Sequence, residues 1–269
     1  MGEELLILSG DHSPDKIGGV MKKVIKAVSL VLASALLVGV IVFIAWGMTP
    51  MGPTNQAMAA MESNGDVTVQ DNGDFVVFIP TTNQPITGLI IYPGGHVDYR
   101  SYAPIARQIA SRGYLVSIVR MPLSLPFFGV NKAEKVTAAF PDIRYWVIGG
   151  HSLGGTIAAS YAKTHSDEVK GLVLWASYPS ESDDLSTTDV KGLSTYGSND
   201  KVLNMDNLNS TRVLLPPGTI RQVIGGGNHA QFGNYGPQPG DGVATISAKD
   251  QQAQATDLTV RLIRAVEGE

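Results

Sequence analysis

Short apolar runs alternate with amphipathic segments along most of the chain, and this alternation predicts a protein of the α/β class. Two apolar runs at residues 67–70 and 75–79 flank Asp-Asn-Gly-Asp, a strong turn signal, and are predicted to form a hairpin. Further strands are predicted at residues 88–93, 114–122, 145–150, 169–179, 191–197 and 220–226. Helices are predicted at residues 101–113, 132–139, 153–164 and 251–266.

The predicted strands are short and rich in Val, Ile and Leu, and helices separate most of them. Runs of this kind are typical of a mostly parallel sheet that is covered on both faces. The sequence contains no internal repeat and no sign of a second domain. We therefore predict one doubly wound α/β domain over residues 65–269.

The N-terminal region has a different pattern, because Lys22, Lys23 and Lys26 precede 22 uncharged residues at 27–48. At about 1.5 Å per residue, a helix of this length reaches about 33 Å, enough to cross a bilayer. The lysines predict that the N-terminal side stays in the cytoplasm and that the following domain is exported. The sequence thus predicts a transmembrane anchor over residues 21–48 and a single-pass protein of the cell membrane with its domain outside the cytoplasm.

The alternative for this region is a signal peptide whose cleavage leaves a secreted protein. Ala57-Met58-Ala59 resembles a cleavage site, although it lies well past the apolar stretch. Residues 49–64 are rich in small residues, Pro and Gly, and predict a linker. Residues 1–20 are acidic and unpatterned, whereas a complete export signal begins at Met21. We expect Met21 to be the true start, with residues 1–20 an extension that is not translated.

Composition excludes several classes of function. The net charge of -4 and the lack of a basic stripe give no basis for binding nucleic acid. The chain has no cysteine, which excludes disulfides, thiol nucleophiles and Cys-zinc sites.

The most informative motif is Gly150-His151-Ser152-Leu153-Gly154, which lies between a predicted strand and a predicted helix. In this context the Gly-x-Ser-x-Gly pattern is typical of a nucleophilic serine, held on a sharp turn at the edge of a sheet. The glycines leave room for the turn to pack against its neighbours. The N–H of Leu153, at the start of the helix, is then expected to face a developing oxyanion. The alternative is a serine that only caps the helix.

A nucleophilic serine needs a base, and the candidates are His96, His151, His165 and His229, of which His229 is the best. It follows the last predicted strand in a glycine-rich loop, where its ring can reach the sheet edge. His151 is adjacent to the serine and is expected to pack inside, whereas His165 is expected on the surface at the end of the helix. His12 precedes the predicted anchor and is excluded.

The third member of such a site is an acid that orients the histidine. Asp200 follows the preceding predicted strand, and the order Ser152, Asp200, His229 is that of one particular fold. A structural turn aspartate is the alternative interpretation. Three other acids remain open as substitutes: Asp183, Asp184 and Asp206.

Five segments of the chain resemble the α/β-hydrolase superfamily, and specifically its compact bacterial branch related to dienelactone hydrolases: residues 92–122, 149–155, 171–179, 196–200 and 226–236. The resemblance implies that Ser152 is the nucleophile, His229 the base and Asp200 its partner. It also implies a second oxyanion N–H from the loop after the third strand. Gly95 is the first choice for that N–H and His96 the second.

These observations predict a serine hydrolase that cleaves an ester in a small-molecule substrate, without a metal or an organic cofactor. An amidase or an acyltransferase with the same triad is one alternative, and a non-catalytic surface or scaffold protein that retains the fold is another. Residues 180–190 are too short and polar to form an apolar lid, although Phe127 and Phe128 could line one wall of a pocket. We therefore expect a preference for short or compact acyl groups.

Overall fold

The computed structural model describes residues 14–268, with side chains from residue 21 onwards. Most of the predicted N-terminal extension, including His12, lies outside the described residues. The chain divides into two compact units, Met1–Trp46 and Gly47–Glu269. Each is described by itself.

The described part of the first unit lies in helix α1, which extends over Pro14–Gly47. Within its segment Met21–Gly47, an 18-residue stretch has a mean hydropathy of 2.9 and none of its residues is buried within the protein. By length and composition this segment can cross a membrane. The prediction of one apolar N-terminal helix is therefore confirmed, although the helix starts several residues before the apolar stretch.

The second unit is built on an eight-stranded sheet with the strand order β1-β2-β4-β3-β5-β6-β7-β8. At one edge of the sheet, β2 pairs antiparallel with both β1 and β4. All other neighbouring strands pair parallel. The mostly parallel sheet that the sequence predicted is therefore confirmed. The strands are β1 (Val67–Asp71), β2 (Phe75–Pro80), β3 (Thr87–Tyr92), β4 (Leu115–Val119), β5 (Tyr145–His151), β6 (Val169–Trp175), β7 (Lys191–Gly197) and β8 (Ile220–Ile224).

Helices cover both faces of the sheet, because each face carries its own apolar core. One core contains residues of α3 (Ala103–Ala110) and α7 (Ala248–Glu267). The other contains residues of α4 (Ala133–Ala139) and α5 (Leu153–Thr164). Strand β3 is buried along its whole length, which explains its uninterrupted apolar sequence.

Helix α7 is longer than the apolar pattern predicted, and its two ends explain the difference. The side chain of Ser247 accepts a hydrogen bond from the N–H of Asp250 and caps the first turn. Gly268 follows the last turn with a φ of 89°, a left-handed conformation that glycine adopts without strain. Local capping, and not the apolar stripe, thus sets the bounds of this helix.

Residues 49–64 differ from the free linker that the sequence predicted. They contain the short helix α2 (Asn55–Ala59), in which Ala57 is fully buried. The backbone of Met51 pairs with that of Val97, and the guanidinium of Arg107 donates to the carbonyl of Ala60. This segment is therefore a packed part of the second unit, in contact with α3 and the loop after β3. One other helix was not predicted, α6 (Met205–Ser210).

The segment between β6 and β7 contains no helix in the structure. It is held by local turns and by a hydrogen bond from the N–H of Leu185 to the carbonyl of Leu214. The fold therefore lacks a large lid, as the length and polarity of this segment predicted.

Candidate active site

Ser152 lies on a strained turn between β5 and α5. Its φ of 52° and ψ of −127° place a residue with a side chain in the left-handed half of conformational space, which is sparsely populated. The turn is held because the N–H of Ser152 donates to the carbonyl of Trp175 at the end of β6. The hydroxyl of Ser177 also donates to the carbonyl of Ser152, at 2.7 Å.

The two glycines of the motif allow this turn to form. A Cβ at Gly150 would lie 2.5 Å from backbone atoms of both Tyr92 and Gly154. A Cβ at Gly154 would collide with the backbone carbonyls of Tyr92 and Pro93. Only residues without a side chain fit between β3 and the start of α5, so the spacing of the motif has a steric cause.

His229 and Asp200 meet at the carboxyl end of the sheet. Nδ1 of His229 lies 2.9 Å from Oδ2 of Asp200, and the two side chains are 2% and 0% exposed. Oδ1 of Asp200 accepts hydrogen bonds from the N–H groups of Val202 and Leu203, and these bonds fix the orientation of the carboxylate. Among the described residues, Nε2 of His229 has no hydrogen-bond partner. The ring is thus oriented through one nitrogen, and the other is left available.

A second carboxylate, Asp241, holds the loops that carry these two residues, and sequence reasoning missed it. It accepts hydrogen bonds from the backbone N–H groups of Lys201, His229, Ala230 and Gly242, at 3.3, 3.3, 2.9 and 2.7 Å. The only sequence signal is an aspartate between two glycines in a long loop, a pattern too common to be specific. Asp241 therefore ties the loop after β7 to the loop after β8.

A cavity of about 180 Å³ opens beside Ser152 and His229. Its lining is mostly apolar or weakly polar: Ser152, Leu153, Thr156, Ala176, Ser177, Tyr178, Val202, Leu203, Asn204 and His229. Phe127 and Phe128 do not line it, contrary to the sequence-based expectation. Their rings lie 4.4 Å apart and are about half exposed, because the turn that carries them ends away from the cavity.

The structure also distinguishes the backbone groups that could bind an oxyanion. Leu153 is the first residue of α5, so no acceptor within the helix is available to its N–H. A Cβ at Gly95 would lie 3.0 Å from the side chain of Leu153, which places the two residues against each other. The N–H of His96 is engaged, since it donates to the carbonyl of Ser124 at 2.7 Å. In the part of the chain that is described, the N–H of Gly95 has no such acceptor.

The two other histidines of the motif region are placed as the sequence predicted. His151 is 1% exposed, and burial lowers its pKa well below the ordinary value, with the charge of His229 acting in the same direction. His165 lies at the end of α5, where its ring stacks on that of Tyr161 at 4.0 Å. Neither lines the cavity beside Ser152.

The three substitute acids lie elsewhere. Oδ2 of Asp183 accepts a hydrogen bond from the hydroxyl of Ser160 on α5. Asp184 caps a turn, and hydrogen bonds from Ser186 lower the pKa of its exposed carboxyl. Asp206 lies exposed in the first turn of α6. Of the four acids that the sequence offered, the structure brings Asp200 alone into contact with the ring of His229.

No group of three or more His, Cys, Asp or Glu side chains suited to a metal ion occurs among residues 21–268. The site described above consists of a hydroxyl, an imidazole, a carboxylate and backbone N–H groups, which are the components of covalent acyl transfer.

Comparison with known proteins agrees with this geometry at the level of the fold. Residues 88–253, more than half of the chain, match the alpha/beta hydrolase family. The structure is similar to the crystal structure of a predicted CIB-like hydrolase from Thermoplasma acidophilum, with a TM-score of 0.52 and 16% sequence identity over 74% of this chain and 99% of that chain. No curated protein matches the sequence. The matched residues include β3, the Ser152 turn and the loops of Asp200 and His229, and the chain therefore belongs to the α/β hydrolase family.

Proposed function

We propose that this hydrolase cleaves an ester through an acyl-enzyme, with Ser152 as nucleophile, His229 as base and Asp200 as the acid that orients the base. One observation carries the proposal. His229 is bonded to Asp200 through Nδ1, while its Nε2 is free and its ring lines the same cavity as Ser152. A base needs one ring nitrogen held by an acceptor and the other left to take a proton, and among the described residues His229 meets both conditions in the cavity that Ser152 lines.

The chemistry follows from these positions. Nε2 of His229 takes the hydroxyl proton as Ser152 Oγ bonds to the substrate carbonyl carbon. Asp200 stabilises the imidazolium that forms. His229 then gives the proton to the leaving alcohol, the C–O bond breaks, and an acyl-Ser152 ester remains. Water, deprotonated by the same nitrogen, attacks this ester and releases the acid, and the proton returns to Ser152.

Backbone N–H groups of Leu153 and Gly95 are proposed to bind the oxyanion of each tetrahedral intermediate. Their support is the start of α5 at Leu153 and the close approach of Gly95 to that residue. His96 is less suitable, since its N–H already donates to Ser124. Two N–H donors in a site of this kind stabilise the transition state by several kcal/mol.

The size of the cavity supports a short or compact acyl group. About 180 Å³ is below the roughly 300–1,000 Å³ of most small-molecule pockets. No helix from the segment between β6 and β7 covers it. The finer resemblance to dienelactone hydrolases stays a prediction, and so does the identity of the leaving alcohol.

The proposed location is the cell membrane, with the hydrolase unit outside the cytoplasm. Its support is the apolar helix over Met21–Gly47 together with the lysines at its N-terminal side. Cleavage of the helix as a signal, with release of the enzyme, is the alternative that the test in the Discussion distinguishes.

A fluorophosphonate probe tests the proposed chemistry, because it phosphonylates an activated serine irreversibly. The wild-type protein should be labelled and should turn over short-chain p-nitrophenyl esters. Ser152→Ala should abolish labelling and lower kcat by at least about 10³-fold. Ser111→Ala removes an exposed hydroxyl that donates to the carbonyl of Gln108, away from the cavity, and is the control that should retain the label.

Absence of labelling in folded wild-type protein would contradict the proposal and favour a non-catalytic surface protein. Labelling of Ser152 with turnover of amides but not of esters would favour an amidase instead. Acyl transfer to an added alcohol in preference to water would favour an acyltransferase.

A further inference from the structure

A buried hydroxyl connects the loop after β3 to the residue that precedes Ser152. Tyr102 is fully buried at the end of the 3-10 turn Tyr99–Tyr102, just before α3. Its Oη accepts the N–H of Gly94 at 2.9 Å and lies 2.8 Å from Nδ1 of His151. Tyr102 thus bridges the backbone beside the proposed oxyanion N–H of Gly95 and the side chain next to the nucleophile.

The direction of these hydrogen bonds determines where the protons lie. The N–H of Gly94 can only donate, so Tyr102 Oη accepts there and uses its own proton elsewhere. Burial raises the pKa of Tyr102, so that proton is retained. Nδ1 of His151 is the acceptor within reach, and burial keeps the His151 ring neutral at pH 7. His151 therefore carries its single ring proton on Nε2.

The His151 ring also contacts the proposed base. Its centroid lies 4.5 Å from that of His229, and the ring of Phe232 stacks on it at 5.8 Å. Nε2 of His151 is buried and has no hydrogen-bond partner among the described residues. The backbone of His229 favours the protonated form of the His151 ring, against the larger effect of burial. The ring is therefore enclosed between the base and the Tyr102 hydroxyl.

The local sequence keeps this arrangement tight. A Cβ at Gly94 would lie 3.0 Å from both Tyr102 Oη and His151 Nδ1. This is closer than most real Cβ contacts, so an alanine at position 94 has to displace one of the two side chains. The glycine is required because backbone and hydroxyl approach each other directly.

We propose that Tyr102 and His151 are positioning residues of this hydrolase site. The Tyr102 hydroxyl holds the backbone of Gly94 and Gly95 in register with the Ser152 turn, through its second hydrogen bond to His151. The same hydroxyl fixes the tautomer of the His151 ring, which packs against the ring of His229 and holds it in position. The inference rests on the proposed function and extends it from three side chains to five.

The test is Tyr102→Phe, which removes one oxygen and leaves the ring in place. A small displacement of a catalytic N–H or of the base lowers the chemical step by about 10- to 100-fold. We expect losses of this size in kcat and in the rate of fluorophosphonate labelling. KM should change by no more than about twofold, since the cavity lining is untouched.

Tyr92→Phe is the matched control. Tyr92 is also fully buried, and its Oη likewise accepts one N–H, from Ala133, and donates to one carbonyl, that of Val130. Its hydroxyl bonds to the segment around α4 and to no residue of the site. Tyr92→Phe should lower the unfolding midpoint in urea as much as Tyr102→Phe does, with kcat and labelling rate unchanged.

Gly94→Ala supplies a second variant, because it disturbs the same contact from the backbone side. It should lower kcat with KM retained, as Tyr102→Phe does. Gly65→Ala is its control, since a Cβ there meets nothing within 4 Å. This pair keeps the inference testable if Tyr102→Phe does not fold.

Three outcomes are distinguishable. Wild-type protein that is labelled at Ser152, with selective loss of kcat in Tyr102→Phe or Gly94→Ala, supports the inference. If the wild-type protein is labelled but Tyr102→Phe and Gly94→Ala react at the same rates as their controls, the inference is overturned and the proposed function is not. Wild-type protein that folds and is never labelled overturns the proposed function and the inference together.

Discussion

Oδ2 of Asp200 and Nδ1 of His229 lie 2.9 Å apart, with neither side chain more than 2% exposed. The two residues follow adjacent parallel strands, β7 and β8, so the sheet itself brings their loops together. A buried carboxylate and imidazole in contact fix the ring tautomer with the proton on Nδ1. Nε2 is then the acceptor nitrogen of a ring that lines the same cavity as Ser152.

The first prediction concerns this contact. Asp200→Asn keeps the Oδ1 acceptor for Val202 and Leu203 but places an NH₂ group against Nδ1 of His229. The ring should adopt the wrong tautomer, and kcat for a short ester should fall by about 10⁴-fold. Asp206→Asn and Asp183→Asn are the controls. A larger loss in either control than in Asp200→Asn would show that the acid is misassigned.

The second prediction concerns Asp241, which accepts hydrogen bonds from four backbone N–H groups in the loops after β7 and β8. Asp241→Asn replaces one acceptor oxygen with a donor that opposes an N–H. Leaving one such group unpaired should lower the free energy of unfolding by about 1–3 kcal/mol. Urea denaturation measures this change, and kcat should fall with it because the base is displaced.

Asp257→Asn is the control for that variant, since Asp257 is exposed and pairs only with Arg112 at the surface. It should be close to neutral. Equal stabilities of Asp241→Asn and Asp257→Asn would show that the hydrogen bonds of Asp241 do not hold the loops.

The third prediction is a pH dependence of stability. Burial, aided by the charge of His229, lowers the pKa of His151 well below its ordinary value of about 6.5. As the pH falls below the ordinary pKa, residue 151 binds a proton in the unfolded chain but stays unprotonated in the folded protein. The free energy of unfolding should therefore fall by up to about 1.4 kcal/mol per pH unit from this group. At pH values above the ordinary pKa, residue 151 is neutral in both the folded and the unfolded chain, and its contribution to stability is complete.

Thermal unfolding at pH 7.5 and pH 5.5 measures this effect. His151→Gln should lose less stability between the two pH values than the wild type does, whatever its absolute stability. A wild type and a His151→Gln variant with the same pH dependence would contradict the buried, neutral state of His151.

The fourth prediction concerns acyl-chain length. Each methylene that enters the cavity contributes about 0.8 kcal/mol, so kcat/KM should rise about fourfold per carbon over the first few carbons. A cavity of about 180 Å³ then fills, and the increase should stop. A panel of p-nitrophenyl esters of graded length measures the curve. A continued rise of the same size to about twelve carbons would show a long apolar channel.

The fifth prediction concerns location. Protease added to protoplasts should degrade the unit Gly47–Glu269, and high salt should leave the protein in the membrane fraction. A lysed sample and a cytoplasmic marker protein are the controls. Recovery of the protein solely in the medium, with a new N-terminus near residue 60, would favour signal cleavage.

The fold was readable from the sequence, and the residues proposed to react could be singled out there, because the patterns that indicate them lie along the chain. Buried parallel strands are mostly apolar, and β3 (Thr87–Tyr92) lies within one residue at each end of the range that this pattern predicted, 88–93. The spacing of Gly150 and Gly154 around Ser152 reflects a steric requirement of the turn itself. The order of Ser152, Asp200 and His229 along the chain singled out one fold.

Contacts between distant segments were decided only by the tertiary structure. The sequence left both Gly95 and His96 open, and the hydrogen bond from His96 to Ser124 separates them. It contained no signal for Asp241 or Tyr102, because their partners are backbone N–H groups of other loops and a side chain 49 residues away. Residues 49–64 have a linker composition, yet burial of Ala57 holds them on the sheet unit. A pattern along the chain records which face of an element is apolar, whereas the partner of a polar group depends on where the rest of the chain folds.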